Sequence, residues 1–402
     1  MTGPGKRALV PKLRFPEFRD ADGWEERQLG DFLSESRLPG SKGNVARKIT
    51  VKLWGNGVSG KNESVQGSIN TQYFRRKSGQ FIYSKLDFLN QAFGIVPANL
   101  DNFESTVDLP CFDIVGALNS VFLLEYVKRK DFYERLGETA DGSRKARRIH
   151  AETFLSFPIA LPAPAEQQKI ADCLSSVDEL IAAQARKLGA LKTHKKGLMQ
   201  QLFPREGETQ PRLRFPEFQE AGEWDMKNLG KVAENLDNRR VPTTSSDREA
   251  GDVPYYGASG VVDYVKGFIF DEELLCVSED GANLVARTYP IAFPISGKTW
   301  VNNHAHVLRF KNRGTQKFVE DYLNSIKLDD FITGMAQPKL NKAMLDSIPI
   351  PHPDVTEQQR IANCLTSLDD LITAQTQKLQ ALKTHKKGLM QQLFPSAEVL
   401  EA

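Results

Sequence analysis

EQQKIADCLSSVDELIAAQARKLGALKTHKKGLMQQLFP, Glu166 to Pro204, returns as EQQRIANCLTSLDDLITAQTQKLQALKTHKKGLMQQLFP, Glu357 to Pro395, with 30 of 39 positions identical. In the first copy Ile170, Leu174, Val177, Ile181, Gln184, Leu188, Leu191, Lys195, Leu198 and Leu202 follow at alternating steps of four and three. Ile361, Leu365, Leu368, Ile372, Gln375, Leu379, Leu382, Lys386, Leu389 and Leu393 do the same in the second. This spacing holds one stripe on one helix face, and no proline interrupts it until Phe-Pro ends each copy. At ~1.5 Å per residue each helix would be roughly 55 Å long, comparable with about one and a half turns of B-DNA. With two such stripes the economical arrangement is an antiparallel coiled coil, its register helped by Gln184, Gln375, Lys195 and Lys386 and the remaining sequence at its two ends.

Upstream of each helix lies a second repeat. PKLRFPEF at Pro11–Phe18 becomes PRLRFPEF at Pro211–Phe218, followed by Trp24 and Leu29-Gly30 in one case and by Trp224 and Leu229-Gly230 in the other. The chain is therefore two copies of one plan, with a pseudo-two-fold repeat and mixed α/β character. Globular regions occupy 1–165 and 205–356, and the spacer helices 166–204 and 357–402. Between the shared motifs the copies diverge: RKITVKLWGNGVSG has no counterpart of the type VPYYGASGVVDYVKG. A fixed scaffold presenting two different readers would leave this pattern. The run Leu191–Pro204 is identical to Leu382–Pro395 even at surface positions, which suggests two copies of one partner.

Short apolar runs bounded by turn residues predict strands at Gln80–Tyr83, Phe93–Pro97, Val107–Val115, Val261–Phe270, Glu273–Val277, Ala292–Ile295 and Ala305–Phe310. Short helices are expected at Ser120–Leu136 and Thr315–Ile326. The 402 residues are too many for one ordinary core. Four separated cysteines, Cys111, Cys173, Cys276 and Cys364, suit a reducing compartment and no zinc knuckle. Without a signal core or a membrane-length apolar run, a cytoplasmic location is expected.

The net charge is only +2, but cations cluster locally. Arg37–Lys52 carries five cations and no acid, and Arg144, Lys145, Arg147 and Arg148 crowd one short stretch. Arg75, Arg76 and Lys85 are further candidate DNA contacts. In the second region three loops combine polar, aromatic and glycine residues in the manner of groove-reading segments. They contribute Tyr255, Tyr256 and Ser259; Ser278, Asp280 and Asn283; and Lys298, Asn302, Asn303 and His304. Gln337 and Lys339 follow in GMAQPKLNK. Aligning Ser156-Phe-Pro-Ile with Ser347-Ile-Pro-Ile sets Arg148 opposite Lys339, so a basic residue occupies one place twice, as a phosphate contact would.

The paired LRFPEF segments, the SIPIP-type exits into EQQ-x-IA and the LKxxKKGLMQQLFP helix ends resemble the specificity subunits of type I restriction–modification systems. The resemblance implies two target-recognition domains, each reading half of a split, asymmetric site on double-stranded DNA, and helices that set the spacer. It further implies two methylation subunits docked on the helices and, where the system restricts, two restriction subunits. Cofactors are expected only in those partners: S-adenosylmethionine for adenine methylation, ATP and Mg for restriction. No catalytic centre is expected in the chain, which lacks a methyltransferase Asn/Asp-Pro-Pro-aromatic motif. Ile295–Thr299 lacks the first glycine of a phosphate loop. His304 and His306 have no evident third metal ligand nearby in sequence. Two other classes stay open: a coiled-coil scaffold that does not read DNA, and a single-chain methyltransferase or nuclease with an unfamiliar site.

Overall fold

A computed structural model describes residues 9–61, 67–138, 148–334 and 336–396. Two compact units divide the chain, Met1–Gln184 with Lys378–Ala402, and Ala185–Gln377. The long helices run over Pro164–Leu202 and Val355–Gln392, so each is shared between units. In the first unit Ile170 and Leu174, near one helix start, pack in a core with Leu389 and Leu393, near the other helix end. In the second, Ile361 and Leu365 meet Leu198 and Leu202. Start against finish in both units is antiparallel pairing, and every residue of the predicted stripes is buried or half-buried.

The globular regions share a frame that their sequences conceal. In the first, Glu25–Gln28 pairs antiparallel with Pro158–Leu161; in the second, Asp225–Asn228 pairs with Pro349–His352. A four-stranded sheet follows in each: 33–35, 111–114, 81–83, 93–95 in the first and 234–235, 305–309, 274–278, 292–295 in the second, in that spatial order. Around these frames the inserts differ in fold as well as in sequence. The first region adds a three-stranded sheet and the hairpin 49–51/58–60, the second a four-stranded sheet built on 250–257 and 260–265.

Most predicted elements are present but shorter. Helix Arg313–Ser325 starts two residues before the expectation, after Asn312 caps it by accepting from Thr315 N. The segment Ser120–Leu136 is two helices, Ser120–Val127 and Lys130–Gly137. The break has a cause: extended Arg129 turns its guanidinium to Pro395 O at 2.9 Å and over the rings of Tyr126 and Phe394.

The repeated motifs are explained by one clamp built twice. Arg14 donates through Nε and Nη2 to the two oxygens of buried Glu166 and through Nη1 and Nη2 to Ala21 O and Asp22 O. The indole N–H of Trp24 donates to the same carboxylate. Arg214, Glu357 and Trp224 repeat the arrangement, with Ala221 O and Gly222 O as the carbonyls. Gln167 and Gln358 each turn back to donate to Pro162 O and Pro353 O. Leu29 and Leu229 are fully buried, and their N–H groups donate to Phe157 O and Ile348 O. A Cβ on Gly30 would stand 3.2 Å from Leu155 O and one on Gly230 3.0 Å from Asp346 Cβ, hence glycine at both.

The two seam lysines are joints. Lys386 Nζ lies 2.7 Å from Asp178 on the facing helix and 3.0 Å from Glu125 of the first globular region. Lys195 Nζ lies 2.6 Å from Asp369 and 3.5 Å from Asp321 of the second, with Lys317 completing that cluster. The partners are repeat equivalents, Asp178 of Asp369. Burial opposes the charge of Glu125, but Lys128 and Lys386 outweigh it and hold the carboxyl below its ordinary range. At Asp321 burial wins and raises it.

Candidate nucleic-acid interface

The central strands of each four-stranded sheet end together, and the loops that leave them are stitched to one another. In the second region Ser278 pairs with Ala305, so loops 279–283 and 302–304 emerge at one sheet end. Glu279 N donates to His304 O, Leu340 N to Glu279 O, and Gly281 N to Pro338 O. Asn302 N donates to Tyr256 O, which adds the hairpin turn to the group. Four segments singled out from sequence therefore converge.

The first region repeats the stitching with other residues. Lys85 N donates to Asp108 O at 3.0 Å and Ile149 N to Lys85 O at 3.1 Å. Through these bonds Lys85 takes the place of Glu279, Asp108 of His304 and Ile149 of Leu340, which puts Arg148 in the place of Lys339. Each cation is about half-exposed and leans on one acid: Arg148 on Asp108 at 3.5 Å, Lys339 on Glu279 at 3.3 Å. The Arg148 pair is exposed and weak, and Glu279, though largely buried, keeps Arg240 at 2.6 Å, so either cation can exchange its acid for a phosphate at little cost.

The candidates sort by exposure. Ser259, Lys298, Asn303, His304, Gln337, Lys339, Arg75 and Arg148 are exposed, and Lys85, Tyr256 and Asp280 half-buried. Ser259 Oγ donates to Tyr289 Oη; His304 Nδ1 lies 2.7 Å from Asp280; Lys298 covers the Phe268 ring. Five candidates are corrected, because burial removes them from any groove. Arg76, 2% exposed, donates to Ser105 Oγ and to the carbonyls of Ser36, Thr106 and Leu109. Tyr255 is buried with its hydroxyl on Thr243 O, and Ser278 with its hydroxyl on Ala258 O. Buried Asn283 shapes the loop by accepting from Thr288 and Tyr289, and buried Asn302 accepts from His304 N. Arg144, Lys145 and Arg147 lie outside the described residues.

Sequence reasoning missed what stands beneath these loops. His306, 1% exposed, has Nδ1 2.6 Å from Asp237 and Nε2 2.7 Å from Leu340 O. Glu279 closes a group with Asp237 and His306 whose three ligand atoms fall within 4.8 Å of one another, and His304, which faces Asp280, is not part of it. Arg240 already compensates it, 2.6 Å from Glu279 and 3.5 Å from Asp237. Burial opposes the charge of Asp237, yet the bonds from His306 and Val307 N and the charge of Arg240 hold its pKa down. With both ring nitrogens facing acceptors, His306 acts as a bracket that ties strand 305–309 to Leu340. Asp237 lies about seventy residues from His306, so no local pattern could announce it.

Residues 221–384 match the type I restriction modification DNA specificity domain. A provisionally named type I restriction enzyme specificity subunit of Haemophilus influenzae is 38% identical over 152 residues, 38% of this chain and 39% of that protein. The MjaX specificity subunit of Methanocaldococcus jannaschii, also provisionally named, is 27% identical over 286 residues, 68% of this chain and 66% of its own length. The chain thus spans less than two thirds of either relative. The solved S subunit of a type I restriction-modification system from M. genitalium shares the fold with a TM-score of 0.60 at 16% identity, covering 96% of this chain and 100% of that one. A chain from a structure of type I R-M complex assembly gives 0.56 at 15% identity, with coverages of 96% and 100%. The resemblance to type I specificity subunits carried by the repeat motifs is borne out. No described helix is long and apolar enough to cross a membrane.

Proposed function

We propose that the chain is the non-catalytic, DNA-reading subunit of a type I modification complex, each globular region reading one half of a split asymmetric site. What carries the reading is the same loop junction built twice on unlike inserts, with an exposed cation at the same place in both, Arg148 and Lys339. Equal frames would dock on the duplex alike, while unequal inserts would read unlike bases. Two methylation subunits, bringing S-adenosylmethionine, would sit on the repeated helix surfaces. Restriction subunits, where present, would bring ATP and Mg, and the complex would work on host DNA in the cytoplasm.

The test is co-expression with the methylation subunit and mapping of modified adenines across host DNA, with the methylation subunit alone as control. A split motif that appears only with this chain is expected. A stable complex that modifies no motif would overturn the reading, and failure to form a complex would favour a scaffold.

A further inference from the structure

Trp54 is 61% exposed and has φ of +60°, a left-handed conformation that a bulky side chain rarely adopts. Its N–H donates to Asn90 O at 2.7 Å and that of Gly55 to Gln91 O at 2.9 Å, which fixes the strained turn on loop 84–92. Packing does not explain it. Trp24 and Trp224 are each 3% exposed in cores, whereas the fixed turn holds Trp54 outward. Strain kept in a surface aromatic points to use at that surface.

Loop 84–92 joins two strands of the four-stranded sheet and contains Lys85, at the end where Asp108 and Arg148 meet. The corresponding loop of the second region, 279–291, presents Tyr289, 46% exposed, two residues after left-handed Arg287. In each globular region an exposed aromatic is thus tied to the loop that hydrogen-bonds the segment of the proposed phosphate contact, Trp54 through its bond to Asn90 and Tyr289 as part of the loop itself. The segment that carries Trp54, from Arg37 to Lys61, holds six cations and no acid, while Asp87 stands in the loop on which the turn rests. An aromatic ring in such a setting suits a nucleic acid, where it can meet a thymine methyl or enter a base step.

Resting on the DNA-reading function above, we infer that Trp54 and Tyr289 are base-reading contacts, one for each half-site, while Arg148 and Lys339 position the backbone. The test compares Trp54→Ala, Trp54→Phe and Tyr289→Ala in the complex with methylation subunits. Trp54→Ala should relax one or two base positions in one half-site and weaken binding of the motif duplex by about tenfold, the scale of one lost base contact. The salt dependence should stay unchanged. Trp54→Phe should keep most of the selectivity, and Tyr289→Ala should relax only the other half-site. Tryptophan emission of the wild-type complex should be quenched by the motif duplex, and less so in Trp54→Phe, which needs no truncated variant to fold. An unchanged motif and affinity in Trp54→Ala would overturn the inference, as would a reduced salt slope with unchanged motif, or absent quenching. If the wild-type complex modifies no motif, the DNA-reading function itself fails.

Discussion

Arg14 and Arg214 each bind one carboxylate and two carbonyls at once, with Glu166 and Glu357 both 1% exposed. A lysine keeps the charge but cannot reproduce the fork, so part of a buried carboxylate would go unpaired. Arg14→Lys should lower the stability of the first unit by roughly 2 kcal/mol, less than the ~3–5 for outright removal of a buried partner. Urea unfolding would measure it, with Arg214→Lys acting on the second unit; no change in either would show the clamp to be incidental. Arg148 and Lys339 are different in kind, being exposed and weakly paired. Replacing either by Ala should weaken binding to all duplexes alike and reduce the slope of log affinity against log salt by about one. The sequence distinguished neither group reliably. Arg76 and Arg148 both looked like surface cations, and only the four acceptors around Arg76 separate them.

At the scale of elements, the heptad stripes were fully legible because a helix face repeats every few residues, and so was the role of Lys195 and Lys386 in register. Their third partners, Glu125 and Asp321, were not, since tertiary packing alone brings them there. Lys386→Met should cost more than Lys195→Met, because Lys317 still faces Asp321 and Asp369 after the latter change. An estimate of about 2 kcal/mol for Lys386→Met follows if Lys128 retains part of the compensation of Glu125; equal melting temperatures of the two variants would contradict this. The strand frame was only half legible. Its short strands carry few residues each, and the inserts between them follow no common pattern. Asp237, distant from the strand it serves, gives the loop anchor an acid limit. Its pKa is depressed in the fold, so its stabilisation is present above the usual carboxylate pKa, about 3.9, and lost as pH falls through the lower folded value. Melting temperature against pH should therefore fall less steeply on the acid side in Asp237→Asn, and parallel curves would rule out that contribution.

For the whole molecule, the decisive feature is that each core is closed by a helix from the other half of the sequence. Leu393 and Phe394 lie in the core of the first unit, with Phe394 among Trp24, Phe122 and Tyr126. Leu202 and Phe203 lie in the core of the second, with Phe203 against Phe318 and Tyr322. Leu13 N donates to Gln392 O in the first unit and Leu213 N to Gln201 O in the second. Phe394→Ala should destabilise the first unit by about 3–5 kcal/mol, the usual cost of emptying an aromatic site in a core, and leave the second unit nearly unchanged. A sharper consequence concerns a chain ended after Pro204. Its globular region lacks the helix end that fills it, yet the chain carries an identical one, since Leu191–Pro204 and Leu382–Pro395 are the same sequence. Two copies can therefore exchange helix ends about a two-fold axis and satisfy both cores, an isologous contact that closes on itself. Light scattering should find a dimer, and Phe203→Ala should shift it toward monomer. A monomer with the thermal stability of the full-length first unit would mean that the exchanged end is dispensable.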